Sequence, residues 1–194
     1  MACATTTHPV QRGLFDELLP GLEFREDFIT PDEEAELMRQ AAALPFAPFQ
    51  FHGWEGKRET VSFGWRYDFN DAHMHAAPPI PEFLLPLRVR AAGFARLAPA
   101  RLEQALVIRY GVGAGIGWHR DRPVFGEVAG ISLAAPCVLR FRRREARGFE
   151  RFALAASPRS AYLLTGQVRD HWEHSIAPMG QLRYSITFRS RRGM

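Results

Sequence analysis

His119 and Asp121, separated by one residue in Gly117-Trp118-His119-Arg120-Asp121, place an imidazole and a carboxylate close together in the chain. If the segment is extended, the two side chains point to one face, because side chains alternate along a strand. His174, in Trp172-Glu173-His174-Ser175-Ile176, lies 53 residues beyond Asp121. Two histidines and one carboxylate on three corners of an octahedron form the facial triad of non-haem iron(II) oxygenases, which leaves three positions for a bidentate cosubstrate and dioxygen. His171 competes with His174 for the distal role. On a strand their odd spacing would put them on opposite faces, so only one could serve.

The C-terminal run Arg183-Tyr184-Ser185-Ile186-Thr187-Phe188-Arg189 alternates strictly. Tyr184, Ile186 and Phe188 form an apolar face; Arg183, Ser185, Thr187 and Arg189 form the other. Two buried arginines on one strand face are costly unless they meet anions. Their Cα atoms would lie about 20 Å apart at 3.3 Å per residue. They could lean inward on the two ends of a small diacid, or one could brace a metal-bound carboxylate.

These groups need a scaffold. Thr30, Pro31 and Glu33 make a capping box with proline at the first helical position. They start a helix whose stripe of Leu37, Met38, Ala41 and Leu44 ends before Pro45. Residues 46–58 carry turn signals, and Thr60 to Phe69 alternates as a strand. A second helix is expected within Pro78 to Leu97, with Pro86 either kinking it or marking its start. From Leu102 onward short strands follow one another, at 103–110, 129–134, 136–143, 149–155, 160–164 and 182–189. Two early helices before many strands read as an α+β domain, with helices packed on a β-sandwich or barrel.

The order His119-x-Asp121, His174, Arg183-x5-Arg189 resembles the signature of the AlkB family of 2-oxoglutarate dioxygenases, over about Leu106 to Arg189. The resemblance implies a double-stranded β-helix (jelly roll) with N-terminal helices packed on its sheets and a substrate lid. It implies one dioxygenase domain over 1–194, with a lead-in at 1–20, helices and lid at 21–100 and the jelly-roll core at 101–192. By position it makes His119, Asp121 and His174 the Fe(II) ligands. Arg183, Tyr110 and Ser185 would hold the distal carboxylate of 2-oxoglutarate, and Arg189 would sit near its keto-acid end and Asp121. The implied reaction consumes O2 and 2-oxoglutarate, releases succinate and carbon dioxide, and hydroxylates a substrate C–H bond. On an N-methylated base the product sheds formaldehyde, which would be alkylation repair of DNA or a related demethylation. Two positions depart from the bacterial prototype: Ile108 stands where it has asparagine, and Pro123 where it has an acidic residue that helps read the damaged base.

The aromatic stretch Phe46, Phe49, Phe51, Trp54, Phe63, Trp65, Tyr67 and Phe69 falls where the family has its lid. Phe63, Trp65, Tyr67 and Phe69 would share one strand face, either as core or as a platform for a flipped base. Trp65, Tyr67 and Arg122 are the expected substrate contacts. Lys57, Arg58 and Arg66 could meet phosphates or form a solvated loop. The run Arg140-Phe141-Arg142-Arg143-Arg144, with Arg147, is either a grip on a nucleic-acid backbone or a charged hairpin that protects a sheet edge. The expected substrate partner is single-stranded DNA or RNA. A protein side chain or small molecule is the alternative, and a non-catalytic binding protein of this fold is a third.

Composition restricts the other classes. The net charge is +4 and Lys57 is the only lysine, so nearly every cation is an arginine, suited to paired recognition of carboxylate and phosphate. The only cysteines are Cys3 and Cys137, which makes a disulfide or a cysteine zinc site improbable. No apolar run reaches 18 residues, and Met1 to Gly13 lacks a secretory signal, so a cytoplasmic monomer with no membrane partner is expected. The alternating Gly111, Gly113, Gly115 and Gly117 lack Rossmann spacing and read as a turn leading into the metal strand. His119-Arg120-Asp121 spells a kinase triplet, but the asparagine that should follow is missing. His52, His73 and His75 fall in loop-like stretches and read as solvated, with His73 and His75 as weak metal candidates.

Overall fold

The protein is represented by a computed structural model that describes residues 18–51 and 53–192. Residues 1–17 of the expected lead-in, Cys3, His52 and the side chains of Phe51 and Trp54 lie outside the described residues. In chain order the elements are β1 (Leu22–Arg25), α1 (Pro31–Ala42), β2 (Ala47–Phe51), β3 (Trp54–Phe63), β4 (Trp65–Tyr67) and β5 (Met74–Ala76). A 3-10 turn (Glu82–Leu84) then runs into α2 (Leu85–Ala95), and a second (Pro99–Arg101) into β6 (Leu102–Tyr110). The remainder is β7 (Ile116–His119), β8 (Phe125–Leu133), β9 (Cys137–Arg144), β10 (Phe149–Ala156), β11 (Ala161–Leu164), α3 (Gly166–His171), β12 (Glu173–Ile176) and β13 (Arg183–Arg191).

Both long helices obey their local signals. The Thr30 hydroxyl accepts from the Glu33 amide at 3.2 Å, and the Glu33 carboxylate accepts from the Thr30 amide at 2.8 Å, which completes the capping box. The helix closes at Ala42, two residues short of Leu44. Pro86 occupies the first turn of α2, where its missing amide costs nothing, so it starts the helix and does not kink it.

A seven-stranded sheet in the order β1-β11-β8-β13-β6-β3-β2 faces a four-stranded sheet in the order β10-β9-β12-β7. The inner layer between them is apolar, with Leu22, Val128, Leu139, Phe141, Leu164 and Ile176 among its residues. The outer face of the large sheet carries Val107, Ile131, Ile186 and Phe188 and packs against Leu37 and Ala41 of α1 and Leu87 and Ala91 of α2. β13 is central, paired on one side with β6 and on the other with β8. Both of its faces are therefore covered, and every residue from Arg183 to Ser190 is buried. This is the α+β jelly roll with helices packed on the sheets. Among the described residues no helix is long and apolar enough to cross a membrane, and Cys137 is buried and unpaired.

Two local expectations fail. The strand expected over Thr60 to Phe69 breaks at Gly64, which has φ +75° and would put a Cβ 2.1 Å from the Glu103 carbonyl oxygen. Only glycine fits such a kink. Phe63 ends β3 in the core, and Trp65 begins a separate hairpin, β4 with β5. The shared aromatic face of Phe63, Trp65, Tyr67 and Phe69 does not form. Residues 46–58, expected as turns, supply most of the β2–β3 hairpin at the sheet edge.

Candidate active site

The two histidines meet by strand register. β7 and β12 are antiparallel neighbours in the small sheet, and His119 stands directly opposite His174, with ring centroids 4.2 Å apart. The His119 Nδ1–H donates to the Gly117 carbonyl at 2.9 Å. A carbonyl only accepts, so this contact fixes the tautomer and leaves Nε2 with its lone pair free. β7 ends at His119, so Asp121 is not the next same-face residue of a strand, contrary to the alternation argument. It lies in the following loop, with its carboxylate 3.9 Å from His174 Nε2. Arg169 of α3 holds that loop by donating to the carbonyls of Gly126 (2.9 Å), Arg122 (2.7 Å) and Phe125 (2.6 Å).

The protonation states suit a metal. Burial alone would raise the Asp121 carboxyl, but the Arg189 guanidinium, then His174 and His119, outweigh it and hold the group well below its usual range. Burial, then the neighbouring His119, pushes His174 down to about 3. Burial likewise lowers His119. At neutral pH the trio is one carboxylate and two uncharged imidazoles, a donor set that fits a divalent iron without displacing a proton.

A cavity of about 700 Å³ opens over this trio between the two sheets. Its floor is the polar face of β13, where Ser185 and Thr187 line it between the two arginines. Arg189 pairs with Asp121 at 2.9 Å and donates to Gln104 at 3.1 Å. Arg183 is fully buried opposite Tyr110 in the β13–β6 register, its guanidinium 5.1 Å from the Tyr110 ring. One of its nitrogens donates to Ser132 Oγ at 3.1 Å, while Nε and Nη1 have no partner. A buried guanidinium with two orphaned donors is costly until an anion arrives. A carboxylate accepting from both, beside Tyr110 and Ser185, would satisfy it, so the distal end of 2-oxoglutarate fits here.

Not every expected contact joins the cavity. Tyr67 and Arg122 line it, with the Arg122 guanidinium 4.6 Å above the Tyr67 ring. Trp65 does not; after the Gly64 break it packs under Arg191 at 4.2 Å. Phe69, beyond the end of β4, does line it. Ile108 contributes an apolar patch and Pro123 is an exposed loop residue. His171 ends α3 and is exposed, so it loses to His174 because it is helical rather than on the far face of a strand. His75 does gather with Asp68 and Asp71, their ligand atoms within 4.8 Å of one another. That surface group is internally satisfied: Asp71 bonds His75 at 2.7 Å, and Asp68 takes Arg66 and the Asn70 amide, each at 2.9 Å.

Three residues carry more of the site than sequence reasoning assigned them. Arg169 positions the Asp121 loop, Gln104 joins Arg189, and Arg58 points into the cavity from β3. The i, i+2, i+4 phase of Arg58 with Thr60 and Ser62, all cavity-lining, was the available signal for the last. Nothing local marked the other two.

The chain matches the family model for the 2OG-Fe(II) oxygenase superfamily over residues 21–189. It is 27% identical over 184 residues to a protein of Arabidopsis thaliana named "Alkylated DNA repair protein ALKBH8 homolog", covering 81% of this chain and 51% of the relative. The chain thus spans about half the length of that curated relative. The solved structure of OsALKBH1 superposes with a TM-score of 0.68 at 17% identity, covering 91% of this chain and 99% of the other. A Pseudomonas putida prolyl-4-hydroxylase superposes at 0.60 and 15% identity, covering 89% and 93%. At these identities the structural likenesses speak for the fold. The family match spans nearly all of that fold, including all three metal-ready side chains and both arginines of β13, so the chain belongs to the 2OG-Fe(II) oxygenase superfamily and is a dioxygenase that uses iron(II), 2-oxoglutarate and dioxygen.

Proposed function

We propose that this enzyme oxidises an N-alkyl group on a base of single-stranded nucleic acid, with His119, Asp121 and His174 as its iron ligands. The observation that carries the reading is the surface around the cavity mouth. Trp118 borders the cavity and lies under two guanidiniums, Arg142 at 4.5 Å and Arg140 at 5.3 Å. From there the β9–β10 hairpin continues with Arg144 and Arg151 around Phe149, at 5.5 and 5.7 Å. Alternating cations and aromatic faces suit a strand whose phosphates and bases both need partners. Inside, Tyr67, Phe69 and Phe49 supply an aromatic wall for an unstacked base. The name of the Arabidopsis relative points the same way.

Held by His119, Asp121 and His174, iron would supply the activation of dioxygen at the expense of 2-oxoglutarate. The chain's own residues bind and orient. Arg183, with Tyr110 and Ser185, takes the distal carboxylate, and Arg189 braces Asp121. Overall, an N-methyl group, 2-oxoglutarate and O2 give an N-hydroxymethyl group, succinate and carbon dioxide; the hydroxymethyl group then leaves as formaldehyde and restores the N–H. The test is anaerobic loading with Fe(II) and 2-oxoglutarate, followed by succinate and formaldehyde release in air with methylated single strands. Release of both, stimulated by an oligonucleotide and suppressed by salt, supports the reading. Slow succinate release that no oligonucleotide stimulates would redirect it to a protein or small-molecule substrate.

A further inference from the structure

We propose that the base this enzyme oxidises is neutral and carbonyl-bearing, of the uracil type, and that Arg58 with Arg122 reads its oxygen edge while rejecting cationic methylated bases. The inference rests on the nucleic-acid reading above and narrows it.

It comes from a charge inventory of the cavity. Among the described residues only two carboxylates line it, Asp121 and Asp68. Asp121 is taken by Arg189 and Asp68 by Arg66. Nothing acidic is left to meet a positive base, and Pro123, following the Asp121 loop, offers no charge. Three lining arginines make no ion pair among the described residues; Arg120 is exposed and donates to the Asp170 carbonyl at 3.1 Å, which leaves Arg58 and Arg122. The Arg58 guanidinium lies over the Phe49 ring, 3.7 Å from its centroid, and its Nε is buried with no partner. Arg122 lies over Tyr67 and its Nε is likewise buried and unpartnered. Neither makes an ion pair among the described residues. Burial pulls the Arg58 guanidinium below its usual value, so it has been taken out of water. Arg58 lines the same cavity as His119 and His174.

Both carboxylates of the cosubstrate have other candidate partners. A dicarboxylate would be met by Arg183 at one end, with Arg189 and the metal at the other. Arg58 and Arg122 stay positive with donors unmet. A carbonyl oxygen beside the alkylated ring nitrogen would satisfy such donors, and the aromatic rings against the guanidiniums restrict their movement. A positively charged base in the same place meets like charge in a partly desolvated pocket, which costs binding.

The test uses two matched single-stranded oligonucleotides that carry N3-methyluracil or N3-methylcytosine at one position. The methyl group sits on the same ring nitrogen in both. Position 4 is a carbonyl in the first and an amino group in the second, whose ring is cationic. The expected result is a kcat/KM for formaldehyde release at least about tenfold higher on methyluracil. Arg58→Glu should shift that ratio toward methylcytosine, whereas Arg58→Lys should keep its direction. Each ratio is internal to one protein preparation, so partial loss of folded enzyme cancels. Equal or better turnover of methylcytosine by the wild type, or a ratio unmoved in Arg58→Glu, overturns the inference and leaves the nucleic-acid reading standing. Failure of both oligonucleotides to stimulate succinate release overturns the two together.

Discussion

Arg189 and Asp121 are held 2.9 Å apart across the cavity floor, and the contact ties the end of β13 to the carboxylate beside the two histidines. The same guanidinium donates to Gln104, whose amide donates to the Trp65 carbonyl at 2.9 Å. One polar chain therefore runs from the metal-ready carboxylate to the base of the β4–β5 hairpin that overhangs the cavity.

Arg189→Gln should weaken iron binding by roughly 10–100-fold, the usual effect of losing a partner that orients a ligand. Anaerobic Fe(II) titration of the purified variant measures it, and an unchanged affinity would remove the bracing role. His119→Ala and Asp121→Ala should each abolish succinate release while leaving the circular dichroism spectrum intact. Activity retained in both would sink the ligand assignment.

Arg183→Met should act in opposite directions on binding and stability. Loss of charge-assisted hydrogen bonds, each about 1.5–3 kcal/mol, should raise the KM for 2-oxoglutarate by one to two orders of magnitude. The cosubstrate-free protein should be no less stable than wild type, because the variant removes a buried cation with two orphaned donors. Thermal unfolding with and without 2-oxoglutarate reads both effects: the wild type gains stability on ligand addition and Arg183→Met does not. A variant still stabilised by 2-oxoglutarate would place the carboxylate elsewhere.

Arg169→Ala should loosen the loop that carries Asp121 and Arg122, since three carbonyls, two of them in buried contacts, lose their donor at once. A stability loss on the order of 3 kcal/mol follows from several charge-assisted hydrogen bonds that are only partly replaced by water. Hydrogen exchange should quicken first over residues 121–127. Protection there equal to wild type would show that the loop holds itself.

The metal-free protein should lose stability as pH falls. His174 has a native value of about 3 against an unfolded value near 6.5. Between these limits the unfolded chain binds the proton and the native state does not, so unfolding is favoured progressively below pH 6.5. The depressed Asp121 carboxyl acts in the same sense at the acid end, because its native charge is lost only at lower pH. Urea midpoints at pH 7.5 and 5.0 should differ in the metal-free wild type, and the difference should shrink in His174→Gln, where the buried His119 still contributes. A wild-type midpoint that does not move would contradict a buried, neutral His174.

Strict alternation made the C-terminal strand legible, because period-2 patterning reports faces directly wherever a strand is buried. It placed Arg183, Ser185, Thr187 and Arg189 on one side and Tyr184, Ile186 and Phe188 on the other, as observed. The capping box at Thr30 was legible for a similar reason, since its partners are three residues apart. Where the partner was distant, local reading failed. Gly64 looks like any strand glycine until the Glu103 carbonyl from another strand is brought against it. Arg58 reads locally as either a phosphate contact or a solvated loop cation, and only the fold puts Phe49 against it in the cavity.

The sequence alone determined which groups could do the chemistry: a histidine-carboxylate pair, a distant histidine and two arginines on a buried strand face. Their types and short-range spacing are covalent facts, and the penalty for a buried charge without an anion holds in any fold. Tertiary structure decided the rest. It chose His174 over His171 by ending α3 before β12 begins. It brought Asp121 to Arg189 from outside a strand, and it left Arg58 and Arg122 uncommitted at the cavity. Those outcomes depend on register and burial between segments far apart in the chain, and pairwise distances across sheets are set only when the whole core closes.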